Sequence, residues 1–370
     1  MKYYIIAGEA SGDLHGSNLM KALYEEDPKA DIRFWGGDLM QNVGGTLVKH
    51  YRDLAFMGFI EVVFNLKTIL NNITICKNDI TQFNPDVIIY IDYPGFNMRI
   101  AKWAKQTGYK NHYYISPQIW AWKENRITAI KHDVDRMYVI LPFEKDFYEV
   151  KHHFPVDFVG HPLIDAIHNQ SAIDATAFRT ENHLSEKPII AILPGSRKQE
   201  ISKMLSVMLS VVTDFPDYQF VIAGAPSQEF SFYQQFISSE NIKFISNKTY
   251  ALLRNSTAAL VTSGTATLET ALFKVPEVVC YKGSWVSYQI AKRIITLKYI
   301  SLVNLIMDRE VVTELIQNDC SAKRIKEELN KILEPNYRKT LLENYDLLEE
   351  KLGGIGASKK TAQLIVSAIK

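Results

Sequence analysis

Val87-Ile88-Ile89-Tyr90-Ile91-Asp92-Tyr93-Pro94-Gly95-Phe96-Asn97 carries a short apolar run, then a carboxylate, then a Pro-Gly turn. The run is too short for a helix and rich in β-branched residues, so it reads as a buried strand whose C-terminal end presents Asp92. Working outward, similar short runs lie at 3–7, 112–115 and 137–140, and amphipathic stretches at 14–24 and 98–106 read as helices. A second series of strands follows Pro188, over 189–193, 220–223, 258–261 and 277–280. This alternation predicts parallel sheets with helical crossovers, and two series predict two doubly wound α/β domains. The polar stretch between Gly160-His161-Pro162 and Pro188 is the expected boundary. After Cys320 the pattern is wholly helical, over 322–333, 337–351 and 358–369. Two such domains are expected to share a cleft at their strand C-terminal ends, where ligands bind.

Bulk properties bound the function. At 370 residues and 47% hydrophobic, the chain suits two domains of moderate size. Lys+Arg 42 against Asp+Glu 41 leaves a net charge of +1, which argues against nucleic acid as a partner. Cys76, Cys280 and Cys320 are too widely spaced for a metal-ligand pair or a disulfide framework, so a reducing cytoplasm is the expected compartment. Glu9 interrupts the first apolar run too early for a signal peptide, and no run approaches the roughly 20 residues that span a bilayer.

Several loops could carry chemistry. Gly8-Glu9-Ala10-Ser11-Gly12-Asp13 joins the first strand to a helix, which suits an anion at a helix N-terminus, or simply a tight turn with Asp13 as a cap. The glycine spacing is not a dinucleotide fingerprint. Asp92 is placed to take a proton from a sugar hydroxyl, or to hold its turn. Ser116-Pro117-Gln118-Ile119-Trp120-Ala121-Trp122-Lys123-Glu124-Asn125-Arg126 sets two tryptophans beside two cations. The rings suit a sugar face or acyl chains, Lys123 and Arg126 suit a phosphate, and a structural wedge is the alternative.

In the second series, Pro194-Gly195-Ser196-Arg197 brings a glycine and a guanidinium to a helix start, a combination that suits a diphosphate. Ser263-Gly264-Thr265-Ala266-Thr267-Leu268-Glu269 leaves room for a nucleotide, with Glu269 able to accept from ribose hydroxyls or merely to complement the helix dipole. Finally, Met57–Leu70 is strongly apolar, and reads either as a core helix or as a segment dipping into a bilayer surface.

Taken in order, these motifs resemble the lipid-A-disaccharide synthase family. Met57-Gly58, Phe96-Asn97, Leu141-Pro142-Phe143-Glu144, Gly160-His161, Leu193-Pro194 and Ser301-Leu302-Val303-Asn304-Leu305 complete the likeness across nearly the whole chain. The resemblance implies a GT-B-like fold of two Rossmann-like domains. It sets an acceptor and membrane-facing domain at 1–165, joined by C-terminal helices at about 345–370, and a UDP-sugar domain at 166–344. It implies inverting transfer from UDP-2,3-diacylglucosamine to 2,3-diacylglucosamine 1-phosphate (lipid X), giving the β-1,6 disaccharide 1-phosphate and UDP, without a metal or other cofactor. It makes Asp92 the base and Arg197 the diphosphate partner. Gly195, Ser196, Ser263, Gly264, Thr265, Glu269 and Asn304 fall on the donor side. Glu9, Ser11, Gly12, Asp13, Trp120, Trp122, Lys123 and Arg126 fall on the acceptor side. Phe59, Ile60, Val63, Phe64, Leu66 and Leu70 become a membrane contact on the cytoplasmic face of the inner membrane, and a homodimer is allowed. His15 and Gln118 receive no role. The competing readings are another GT-B-like enzyme of UDP-N-acetylglucosamine, either an epimerase or the peptidoglycan glucosaminyltransferase, and a non-catalytic lipid- or nucleotide-binding protein.

Overall fold

A computed structural model describes all residues except 55–65, 171–173, 226–227 and 284–297, and the side chains of residues 66 and 67 are likewise left undescribed. Among the described residues the chain forms two compact units, Met1–His168 with Leu352–Lys370, and Asn169–Lys351.

The first unit is built on a seven-stranded sheet in the order β3-β2-β1-β4-β5-β6-β7. Its strands are β1 (Lys2–Ala7), β2 (Asp31–Gly36), β3 (Thr46–His50), β4 (Val87–Ile91), β5 (Asn111–Tyr114), β6 (Arg136–Val139) and β7 (Asp157–Phe158). Every pairing is parallel. Parallel pairing requires a crossover at each step, and the helices Ala10–Glu26, Leu66–Phe83, Pro94–Gln106 and Ile127–Asp133 supply crossovers between successive strands. All five residues of β4 are buried, as expected of a strand covered by helices on both faces.

The second unit holds a six-stranded sheet in the order β10-β9-β8-β11-β12-β13, again with every pairing parallel. Its strands are β8 (Ile189–Leu193), β9 (Gln219–Gly224), β10 (Ile242–Ser246), β11 (Ser256–Thr262), β12 (Glu277–Tyr281) and β13 (Glu314–Ile316). Both sheets are therefore doubly wound, and each reverses its strand order once, between β1 and β4 and between β8 and β11.

The last helix, Ala357–Ile369, packs back on the first unit. Asp165 accepts hydrogen bonds from the amides of Gly356 (2.6 Å) and Ser358 (2.9 Å), filling the positive end of that helix. Beside it, burial and the neighbouring His15 push the His161 imidazole down to about 3. His15 is itself pushed down to about 4 by burial, against the pull of Asp165. Both rings are neutral at physiological pH, and that neutrality suits a polar seam closed between packed helices.

Candidate functional site

In doubly wound sheets, ligands bind beyond the C-terminal ends of the strands that flank the reversal. Four of the motif loops follow such strands: 8–13 follows β1, 92–97 follows β4, 194–197 follows β8 and 263–265 follows β11.

At the first reversal, Asp92 and Tyr93 both take left-handed backbone angles, with φ of 44° and 50°. Asp tolerates this region better than Tyr does, and the strain must be held by its surroundings. Two buried side chains hold it. The Asp92 carbonyl accepts from Asn97 Nδ2 and from the Tyr113 hydroxyl, each at 2.7 Å. The Tyr93 ring abuts Gly8, where a Cβ would fall 2.3 Å from the ring. The Asp92 carboxyl is pushed up to about 6 by burial and then by the charge of Glu9, against one backbone hydrogen bond that lowers it. A carboxylate that gains a proton near neutrality is matched to general-base work.

The loop after β1 divides in function. Glu9 stands at the start of the helix Ala10–Glu26 and is exposed, as is Ser11, whereas Gly12 is buried against Ala7. Asp13 lies deeper in the same loop. It is buried, and its carboxylate accepts from the amides of Gly37 (2.7 Å), Met40 (3.0 Å) and Leu39 (3.0 Å). It caps the short helix Asp38–Val43, not its own helix, and three of its roughly four acceptor sites are used there.

After β5 the aromatic loop begins at Ile115, a β-branched residue at φ 62°. Trp120 is half-buried with its ring edge-on to Phe143 at 4.8 Å, and Trp122 is 52% exposed with Lys123 Nζ 4.0 Å from its ring centre. Arg126 is half-buried and forms no ion pair among the described residues. Gln118 is exposed. The residue that organises this loop is Glu144, which the sequence singles out only as part of a motif.

The second reversal is more open. Gly195 takes φ 103°, and Ser196 and Arg197 are exposed at the start of the helix Lys198–Met208. The Glu200 carboxylate folds back to accept from the Ser196 amide at 3.1 Å, a contact the sequence reading does not anticipate. Gly264 and Thr265 are exposed at the start of the helix Thr265–Leu272, and a Cβ on Gly264 would meet open space. Burial raises the Glu269 carboxyl, and the Tyr250 hydroxyl donates to it at 3.2 Å. Tyr250 has no motif to announce it, because it comes from a different helix, Thr249–Arg254.

Asn304 lies in the helix Leu302–Met307. It is fully buried, and its amide is saturated: Nδ2 donates to the Val312 carbonyl (2.8 Å) and Glu314 (2.9 Å), and Oδ1 accepts from the amides of Val311 (2.7 Å) and Val312 (3.0 Å). All four of its side-chain hydrogen-bonding positions are used within this segment. Its effect on the site is indirect. Glu314 also holds the amides of Ile300 and Ser301 at 2.9 Å, and the Ile300 carbonyl accepts from Ser263 Oγ at 2.9 Å.

Phe59, Ile60, Val63 and Phe64 lie outside the described residues, and the Leu66 side chain with them. Leu70, in the helix Leu66–Phe83, is 53% exposed. No described helix is long and apolar enough to cross a membrane.

The family model of lipid-A-disaccharide synthetase matches residues 3–366. The chain is 39% identical over 376 residues to the lipid-A-disaccharide synthase of Syntrophus aciditrophicus (strain SB), covering 99% of this chain and 97% of that one. It is 38% identical to the enzyme of the same name from Idiomarina loihiensis, covering 99% and 98%. Among solved structures it resembles a UDP-GlcNAc 2-epimerase from Neisseria meningitidis bound to UDP-GlcNAc, with TM-score 0.73 at 13% identity over 99% of this chain and 100% of that one. It also resembles the glycotransferase of kitacinnamycin, with TM-score 0.65 at 12% identity over 99% and 98%. At such identities the structural likeness speaks for the fold alone, two Rossmann-like units of the GT-B kind.

Proposed function

The chain belongs to the lipid-A-disaccharide synthetase family, and we propose that its two units divide the family's reaction between a base on β4 and a diphosphate site at β8 and β11. It is a glycosyltransferase of lipid A biosynthesis. The donor is UDP-2,3-diacylglucosamine and the acceptor is 2,3-diacylglucosamine 1-phosphate. The acceptor 6-hydroxyl attacks the anomeric carbon from the face opposite UDP, the Asp92 carboxylate takes the hydroxyl proton, and the bond to UDP breaks with its electron pair leaving on the diphosphate. Inversion gives the β-1,6 disaccharide 1-phosphate.

The Arg197 guanidinium and the amides at the start of Lys198–Met208 offset the charge that develops on the diphosphate. Gly195, Ser196, Ser263, Gly264 and Thr265 line the nucleotide, and Glu269, steadied by Tyr250, accepts from the ribose. Asn304 and Glu314 hold the 300–304 segment against Ser263 without touching the donor. Glu9, Ser11, Trp120, Trp122, Lys123 and Arg126 face the acceptor, while Gly12 and Asp13 shape the loop beneath it. The apolar segment containing Phe59, Ile60, Val63, Phe64, Leu66 and Leu70 meets the lipid surface, on the cytoplasmic face of the inner membrane.

The observation that carries the catalytic assignment is the Asp92 carboxyl, pushed up to about 6 at the end of a strand flanking the sheet reversal. The test is a detergent-micelle assay with both acylated substrates, with and without EDTA. Disaccharide 1-phosphate formed by the wild type and lost in Asp92→Asn supports the reading. Undiminished product from that variant overturns the base.

A further inference from the structure

The Leu141-Pro142-Phe143-Glu144 motif is used by none of the steps above, yet its carboxylate sits at the centre of the aromatic loop. Glu144 is 1% exposed. Its Oε2 accepts from the amides of Ile140 (3.1 Å) and Leu141 (2.9 Å), at the start of its own helix Pro142–Asp146. Its Oε1 reaches the other way, accepting from Ser116 Oγ at 2.6 Å and Trp120 Nε1 at 3.2 Å. One oxygen is anchored to the framework at the end of β6 and the other grips the loop after β5. Four donors fill the acceptor sites of an ionised carboxylate, and that saturation offsets the desolvation that raises its pKa.

The grip has mechanical consequences. Ser116 directly follows Ile115, whose left-handed φ of 62° is unfavourable for a β-branched side chain and persists only if its neighbours impose it. Trp120 is held with its ring edge-on to Phe143, next to the anchor itself. The Tyr148 hydroxyl adds a bond to the Pro117 carbonyl at 3.3 Å. With residues 116–120 so fixed, Trp122 and Lys123 are held out to solvent together.

We infer that Glu144 is a positioning residue for the glycosyl acceptor: through Ser116 and Trp120 it sets the aromatic loop in the geometry that binds the acylated, phosphorylated sugar. This rests on the acceptor-side reading of that loop. Ser116→Ala and Trp120→Phe each remove one grip on the loop while leaving the Oε2 anchor intact, and Glu144→Gln keeps the shape but loses acceptor capacity. All three should raise the KM for the acceptor, Glu144→Gln by tenfold or more and the single-grip variants by roughly threefold to tenfold. The affinity for UDP, read by titration calorimetry, should stay within about twofold. Trp122→Ala is the control on the loop itself. A raised acceptor KM in Trp122→Ala with an unchanged one in Ser116→Ala and Trp120→Phe leaves the loop in the acceptor site and overturns Glu144's role. An unchanged KM in all of them overturns both. Equal loss of acceptor KM, donor KM and melting temperature in Glu144→Gln, with Ser116→Ala and Trp120→Phe silent, makes the carboxylate a helix cap only and likewise overturns the inference.

Discussion

The two sheet reversals share one strand order, yet they differ in how much buried polar structure supports their loops. Around β1 and β4 exposed Glu9 and Ser11 and half-buried Asp92 lie over buried polar groups that are largely spent: Asp13 on three amides, and Asn97 and Tyr113 on the carbonyl of a residue bent into left-handed space. Around β8 and β11, Ser196, Arg197, Gly264 and Thr265 are exposed, and no such buried network lies beneath Ser196 and Arg197 among the contacts described above. The difference follows from the chemistry proposed for each. A base must be desolvated and aimed before the substrate arrives, since its worth depends on a raised pKa and a fixed direction. A diphosphate carries its own charge and needs only amides and a cation that water can vacate.

The sharpest way to break that contrast is Asp92→Asn. The side chain keeps its shape and loses its basicity, so kcat should fall by roughly 10²–10⁴, while UDP affinity stays within about twofold of wild type. A variant that loses UDP binding as severely as turnover would show that the two reversals do not act separately. Arg197→Ala comes next. It should cost about 10²–10³ in kcat/KM and weaken UDP as well, because the guanidinium serves ground state and transition state alike. Unchanged donor kinetics would remove it from the site.

How far this contrast is legible in the sequence depends on burial. The central strands β4 and β8 are continuous apolar runs because helices cover both their faces, and they announce themselves. The outermost strands do not. β3 and β10 carry half-exposed residues, and β7 and β13 are only two and three residues long, so none shows a run to read. β2 is an inner strand hidden by its charges, since Arg33 reaches out to pair with Asp79 at 3.0 Å. Among site residues, Asp92 is visible because a carboxylate ends an apolar strand. Asp13 and Asn304 show the limit of such reasoning. Their residue types suit a ligand as well as a scaffold, and only the positions of the amides around them reveal their scaffold contacts. Tyr250 depends on which helix faces which loop, a matter of tertiary packing that no local motif encodes, whereas Glu200 is a local contact, four residues on from Ser196 in the same loop and helix start.

A smaller effect sharpens the second reversal. Glu200 places a negative charge on the Ser196 amide, where the diphosphate is proposed to bind. Glu200→Gln keeps a hydrogen-bonding side chain and removes the opposing charge, so UDP should bind about threefold more tightly. The gain should shrink as ionic strength rises. Titration calorimetry at two salt concentrations checks it, and equal or weaker binding would take Glu200 away from the diphosphate.

The finest test returns to the first reversal and asks what sets the Asp92 carboxyl. Burial is the larger cause and the charge of Glu9 the second, and both raise it, to about 6. The base must be ionised to act, so kcat/KM should fall below about pH 6 as one proton is taken up. Glu9→Gln removes a like charge that disfavours the ionised form, so the acid limb should move to lower pH, by roughly 0.3 pH units given the exposure of Glu9. At pH 5.5 the variant should then retain about 1.6 times the wild-type fraction of its own plateau, with the difference vanishing above pH 7. Comparing each enzyme with its own plateau separates this effect from any contact Glu9 makes with the acceptor. A limb that stays in place would leave burial alone in control of the base, and a limb that moves upward would mean that some group other than Asp92 is titrating.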